Sequence, residues 1–251
     1  MRIKPTIWLC LVLTIVFFSL NAQAQSPAKE RAKVTTTERL EFGMRGLIQV
    51  IDSFGEVRVE GWDKPEVELT VNKSTQKQYL PKDLAKGIRE LERVKVAMER
   101  VGESSMLVIH TTYPARTPMR MMRGKTNLQL EYTIRIPRTS RLMVKHDIGE
   151  VVIANVDGDI EATNRIGELR LELSEANQYA PINVDARVKI GDVSSEFGPE
   201  TQRQKLLGAK LAGDPATSTR RLYLRVGIGE IQVTKLKTEP AAKQDQKDGA
   251  N

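Results

Sequence analysis

The chain has 251 residues, with 39 lysines and arginines against 32 aspartates and glutamates, a net charge of +7 and one cysteine. Cys10 lies in an N-terminal apolar run, so the chain beyond that run has no disulfide framework, thiolate metal site or cysteine nucleophile. The mild basic excess is compatible with an acidic partner, and an aromatic content of 5% argues against a base-stacking nucleic-acid surface.

Arg2 and Lys4 precede an apolar run from Ile7 to Leu20, and Ala22-Gln23-Ala24 supplies the small-x-small pattern of a cleavage site. This predicts a secretory signal peptide over 1–24 and an exported chain that begins at Gln25. The run is about 14 residues long, against the roughly 20 that span a bilayer, and no later stretch replaces it as a transmembrane helix. Cys10 sits inside the run behind Trp8 and Leu9, not at the cleavage point, which argues against a lipid anchor. Residues 25–37 are polar and charged and read as a flexible spacer, 38–236 as the folded domain, and 237–251 as a disordered tail.

Within the domain, Leu40 to Val59 alternates as a first strand pair, Gly61 to Pro65 makes a turn, and Val67, Leu69 and Val71 continue as a strand. Pro81 followed by Leu84, Ile88 and Leu91 predicts one short amphipathic helix over Pro81 to Arg93. Period two returns at Val94, Val96 and Met98 and again at Met106, Val108 and His110, which reads as a hairpin. Tyr113 to Lys125 is a loop that carries Arg116, Arg120, Arg123 and Lys125 with no acidic residue. Its arginines can fork onto phosphate or carboxylate, and Met119, Met121 and Met122 supply adaptable apolar contact. These four cations are candidate contacts for an anionic glycan or lipid surface, set against the plainer reading of a solvated loop. Leu128, Leu130, Tyr132, Ile134 and Ile136 then form a long strand ended by Pro137.

A unit of apolar residue, glycine and acid recurs five times: Phe54-Gly55-Glu56, Ile148-Gly149-Glu150, Ile166-Gly167-Glu168, Ile190-Gly191-Asp192 and Ile228-Gly229-Glu230. Alternation runs back from each glycine in steps of two, through Val50 and Ile48 in the first copy and Val144 and Leu142 in the second, and resumes after it in every copy except at Ser195. Asp52, His146 and Asn164 share one inward column near the break, where a side chain can bond turn backbone. Two strands joined by a corner fit this pattern. Gly55, Gly149, Gly167, Gly191 and Gly229 are then structural corners, since positive φ or close backbone approach penalises a Cβ by about 1 kcal/mol or more. From the second copy onward the intervals lengthen toward the C-terminus, from 18 to 24 to 38 residues. That suits a solenoid in which each rung stacks on the last; a two-layer sandwich of hairpins is the alternative.

Five stretches resemble the bacterial putative-adhesin β-solenoid proteins: Gly55 to Asp63, Ile134 to Pro137, Val144 to Asn164, Asp185 to Phe197, and Leu222 to Val233. The resemblance covers roughly residues 40 to 235 and implies a right-handed β-solenoid and an envelope location. It carries no catalytic signature. The expected fold is therefore all-β, a solenoid-like stack of short strands with Gly-acid corners and one short helix insert.

Stacked corners would set Glu150, Glu168, Asp192 and Glu230 in an acidic ladder, with Lys145, Arg165, Arg187, Lys189 and Arg225 available as an offsetting basic row. This reads as a self-neutralising surface before it reads as a weak divalent-cation or glycan site. His110 and His146 are the only histidines, and both fall in strand positions suited to packing. No histidine pair has metal spacing on a helix, and no serine sits in a nucleophile elbow. No cofactor, metal or catalytic residue is expected. The expectation is an exported, non-enzymatic binding or structural module of the cell envelope, an adhesin in type, whose partner is an envelope protein or an acidic glycan or lipid surface. A periplasmic scaffold or sensor for another envelope protein is the alternative, and a β-helix polysaccharide-acting enzyme comes third.

Overall fold

Each of four long strands runs straight through its corner glycine without a break in strand structure. They are β8 (Arg141–Ala154), β9 (Ile160–Leu173), β10 (Ile182–Ser195) and β13 (Arg220–Lys235), and β2 (Leu47–Ile51) with β3 (Phe54–Trp62) makes the fifth such rung. This computed structural model describes residues 28–52, 54–102, 105–115, 119, 126–174, 182–197, 201–205, 208–212 and 220–236. The rungs are parallel and in register, so that Gly55, Gly149, Gly167, Gly229 and Gly191 lie side by side in that order.

The order departs from the expectation that each rung stacks on the one before it. β13 lies between β9 and β10, so the fourth and fifth copies are exchanged. Both copies present the same inward columns, so the register alone does not choose between them. Their side chains do. β13 brings Leu222, Leu224, Ile231 and Val233 to an interior position, whereas β10 brings the smaller Val184, Ala186 and Val188 and ends on Ser195. At the outer position β10 is capped by β12 (Gly208–Ala212), which pairs antiparallel with it and then with β11 (Thr201–Lys205).

At the other end the two arms of the bent sheet separate. The arm after the corner continues from β3 to β7 (Leu128–Pro137), β4 (Glu66–Tyr79) and β1 (Glu30–Glu41). The arm before it continues from β2 to β6 (Met106–Thr112) and β5 (Lys95–Arg100), which form the predicted hairpin. The fold is all-β with one short helix, and the sheet does not close on itself. Residues 30–37, read from composition as spacer, belong to β1. Their partners on β4 explain the misreading: Thr35 bonds Asn72 and Thr37 bonds Thr70, so this edge strand is polar where it is exposed. Pro81–Asp83 forms a 3-10 turn and Leu84–Glu92 the helix α1, which lays the buried Leu91 on β1 and β4.

The core fills the inside of the bend. Leu142, Val144, Val151 and Ile153 of β8 are buried with their register partners Ile160, Ala162, Leu169 and Leu171 of β9. Each such large aliphatic side chain contributes about 1.5–3 kcal/mol relative to exposure. Positive φ marks all five corner glycines, with Gly167 at +131°. A Cβ there would lie 2.0 Å from the carbonyl oxygen of Gly149. The missing side chain is what lets each rung close on its neighbour.

Just before the glycine the facing differs from simple alternation. The ladder pairs His146 with Asn164 and then Ile148 with Ile166, and omits Asp147 and Arg165. This irregularity and the positive φ turn the residue before the glycine outward. Ile166, Ile228 and Ile190, expected in the core, are 37%, 48% and 51% exposed. Phe54, at the same position of the first rung, is buried beneath Tyr113, whose ring meets it edge-on at 5.9 Å.

Candidate functional site: a cationic groove along the stacked corners

The outward positions before the glycines come together across the rungs. Lys145, Thr163, Arg225 and Arg187 share one register column, and Arg165 and Lys189 lie beside the skipped step next to it. With Lys210 of β12 they line a groove of about 1140 Å³ that crosses from β2 to β12. Six cations face it, Lys145, Arg165, Arg187, Lys189, Lys210 and Arg225, against the two carboxylates Asp52 and Asp147.

The arginines are anchored. Arg165 pairs with Asp147 at 2.8 Å, and Asp185 receives Arg187 at 3.0 Å and Arg225 at 2.7 Å. Partial burial pushes the Asp185 carboxyl up, but the hydrogen bonds from Arg225 and Arg187 outweigh it and hold its pKa below the ordinary value. The Arg225 guanidinium also lies 3.6 Å from the ring centre of Tyr223, which fixes its plane. Among the described residues no carboxylate stands within ion-pair range of Lys145, Lys189 or Lys210. These three lysines keep their charge available to a ligand.

Beneath the groove lies the inward column of Asp52, His146 and Asn164, all buried. Asn164 bonds turn backbone as expected, donating from Nδ2 to the carbonyls of Gly149 at 2.9 Å and Glu168 at 3.1 Å. Asp52 does something different. Its Oδ1 accepts from the Tyr113 hydroxyl at 2.6 Å and the Tyr132 hydroxyl at 3.1 Å, and its Oδ2 faces Nδ1 of His146 at 3.5 Å. The Tyr132 hydroxyl also meets Thr111 Oγ1 at 3.0 Å. Sequence reasoning missed both tyrosines. Tyr132 carried a signal in its inward place on an alternating strand, whereas Tyr113 opens an irregular loop and carried none.

Burial first, and the Asp52 charge second, hold the Tyr113 and Tyr132 hydroxyls protonated far above the ordinary tyrosine range. A raised pKa of this kind supports the fold fully below pH 10. Above about pH 10 the unfolded chain releases protons that the native chain keeps, so each tyrosine withdraws about 1.4 kcal/mol per pH unit. Urea unfolding between pH 9 and pH 11 should show this decline, and Tyr113→Phe should remove one tyrosine's share of the slope; an unchanged slope in that variant contradicts the assignment.

The acidic ladder lies on the other side of the glycines, with Glu56, Glu150, Glu168, Glu230 and Asp192 in register. Its compensation comes from a different place than the expected basic row before the glycine. Arg170, two residues after Glu168, reaches Glu168 at 2.6 Å and Glu150 at 3.6 Å. The hydrogen bond that Arg170 donates to Glu168 raises the pKa of its guanidinium. An i,i+2 pair on one strand face outcompetes the cations across the corner, because the turn at the glycine carries those away. Among the described residues no three acidic, histidine or cysteine side chains gather as a metal cage. His110 lies on β6 opposite Ala97. Arg116, Arg120, Arg123 and Lys125 lie outside the described residues.

No protein-family model matches the sequence, and no curated protein matches it closely enough to count as a relative. Solved structures are similar at low identity. A putative cell adhesion protein from Clostridium sporogenes ATCC 15579 matches with a TM-score of 0.49 and 10% identity over 81% of this chain and 100% of that one. A putative adhesin from Bacteroides fragilis NCTC 9343 matches with a TM-score of 0.30 and 11% identity over 82% and 98% of the two chains. A putative lipid binding protein from Parabacteroides distasonis ATCC 8503 matches with a TM-score of 0.21 and 8% identity over 81% and 97%.

Proposed function

We propose that the chain is an exported, non-enzymatic binding module of the cell envelope, adhesin-like in type, which takes a linear acidic glycan along the groove of a right-handed, solenoid-like stack. The observation that carries this reading is the groove itself, with six cations facing two carboxylates. Each of β8, β9, β13, β10 and β12, strands about 4.8 Å apart, brings at least one cation to the groove, which suits a polymer carrying repeated carboxylates or sulfates. The loop cations Arg116, Arg120, Arg123 and Lys125 are retained in this proposal as separate candidate contacts for the anionic ligand.

Polysaccharide cleavage is disfavoured by the same lining. The groove has no aromatic platform for a sugar ring among its lining residues, and of its two carboxylates Asp52 is engaged by two tyrosines and Asp147 by Arg165. Neither is placed as one of a pair flanking a glycosidic bond. A second reading, a scaffold for another envelope protein, draws on the exposed isoleucines, an apolar strip of the kind such a scaffold uses.

The test is a triple reversal, Lys145→Glu, Lys189→Glu and Lys210→Glu, assayed by calorimetry against a uronate-rich polysaccharide at low and at moderate salt. Affinity should fall by about tenfold or more, ~1.4 kcal/mol, and the wild-type affinity should weaken as salt rises. Equal binding by the variant and wild type rejects the groove.

A further inference from the structure

The isoleucine row is a feature of the outer surface that neither the core nor the groove uses. Ile148, Ile166, Ile228 and Ile190 sit on four adjacent strands in register, the last three markedly exposed. At the fifth rung the same position holds Phe54, and there Tyr113 covers it. The fold therefore covers this column at one end, half-buries Ile148 and leaves Ile166, Ile228 and Ile190 exposed.

What flanks the row identifies what fits on it. On the side before the glycines stand Lys145 and Asp147 on β8, Arg165 on β9, Arg225 on β13 and Arg187 with Lys189 on β10, a flank of net positive charge, and on the other side stand Glu150, Glu168, Glu230 and Asp192, one acid on each rung. The surface is thus three parallel bands: basic, apolar, acidic. We propose that a second copy of this chain packs on it, with the two-fold axis parallel to the row. A half-turn about that axis sets isoleucine against isoleucine and exchanges the flanks, so that the cation of each rung faces the acid of the same rung in the other copy. A half-turn about an axis across the row would oppose cation to cation and acid to acid. Only the first arrangement is self-complementary, and it is isologous, with β9 meeting β9.

Local pairs leave room for this exchange. Arg165, Arg225, Glu150 and Glu168 have local partners, but among the described residues Lys145, Lys189 and Asp192 have no opposite charge in ion-pair range, and neither does the Glu230 carboxylate, which accepts a hydrogen bond from Gln232 at 3.0 Å. Four strands about 4.8 Å apart make a short row, smaller than the roughly 800 Å² per partner of a standard stable interface. The pair is accordingly weak and concentration-dependent, held by the isoleucines and oriented by the flanking charges.

Sedimentation of the full chain recovered after export, over a wide concentration range, should show a monomer–dimer equilibrium. Ile166→Lys with Ile228→Lys should shift it at least tenfold toward monomer. Lys189→Asp should also weaken it, and Lys189→Asp with Asp192→Lys should restore it, because each reversed group then meets a reversed partner. These positions are exposed, so the melting temperature serves as the control for folding. The axis brings residue 166 against its own copy, so Ile166→Cys should form a covalent dimer on mild oxidation, with the unsubstituted chain as baseline. A wild-type chain that stays monomeric throughout overturns the proposal, as does a dimer that survives the lysine pair or fails to cross-link through residue 166.

Discussion

Gly167→Val is expected to destabilise the fold by roughly 3–5 kcal/mol, a large share of the net stability of a single domain. Two costs combine. At φ +131° the backbone lies where a β-branched side chain is strained, and the added Cβ would lie 2.0 Å from the Gly149 carbonyl oxygen. Neither can relax locally. Gly167 is held between Gly149 on one side and Gly229 on the other, so moving it displaces two neighbouring rungs. Gly43→Ala supplies the contrast, because nothing lies within 4 Å of its prospective Cβ. That variant should stay within about 0.5 kcal/mol of the parent. Urea unfolding of the two variants side by side checks the pair; equal stabilities would remove the corner's steric role.

Asp52→Ala is the second large effect, expected to cost about 2–4 kcal/mol. The carboxylate is the common acceptor for Tyr113 and Tyr132 and the group that faces His146, and 6% of its surface is exposed. Its removal leaves the Tyr113 hydroxyl without this acceptor in a buried setting, while Tyr132 keeps its contact with Thr111. Asp52→Asn keeps one acceptor oxygen and should cost less than Asp52→Ala. Denaturant midpoints at neutral pH read the order: parent, then asparagine, then alanine. If alanine proves neutral, the network is not a source of stability.

Local pattern conveyed the recurring corner, the helix and the β5–β6 hairpin, because alternation and glycine placement are properties of adjacent residues. The side of the sheet on which Ile148, Ile166, Ile190 and Ile228 fall was not legible in the same way. A period of two carries facing along a strand only while φ stays extended, and the glycine interrupts that count at the point where the isoleucines sit. The tyrosine partners of Asp52 come from strands and loops 61 and 80 residues away, and no local rule selects them. β1 was misread because an edge strand with a polar exposed face has the composition of a linker. Five of the six groove cations were visible individually as an offsetting row for the acids; Lys210, on a strand outside the repeat, was not. That they face a groove, while Arg170 serves the acids, depends on which way the chain turns at each glycine.

The insertion of β13 between β9 and β10 constrains how the chain assembles as it emerges from synthesis. Ile160 of β9 pairs with Leu222, and Ile182 of β10 pairs with Arg220, so both neighbours wait for a segment made later. Until residues 220–235 arrive, β9 has an open edge and β10 has no parallel partner. The last third of the molecule therefore cannot be laid down rung by rung. It closes in one late step, and a chain cut short before Arg220 would keep both strand edges available for pairing with other chains.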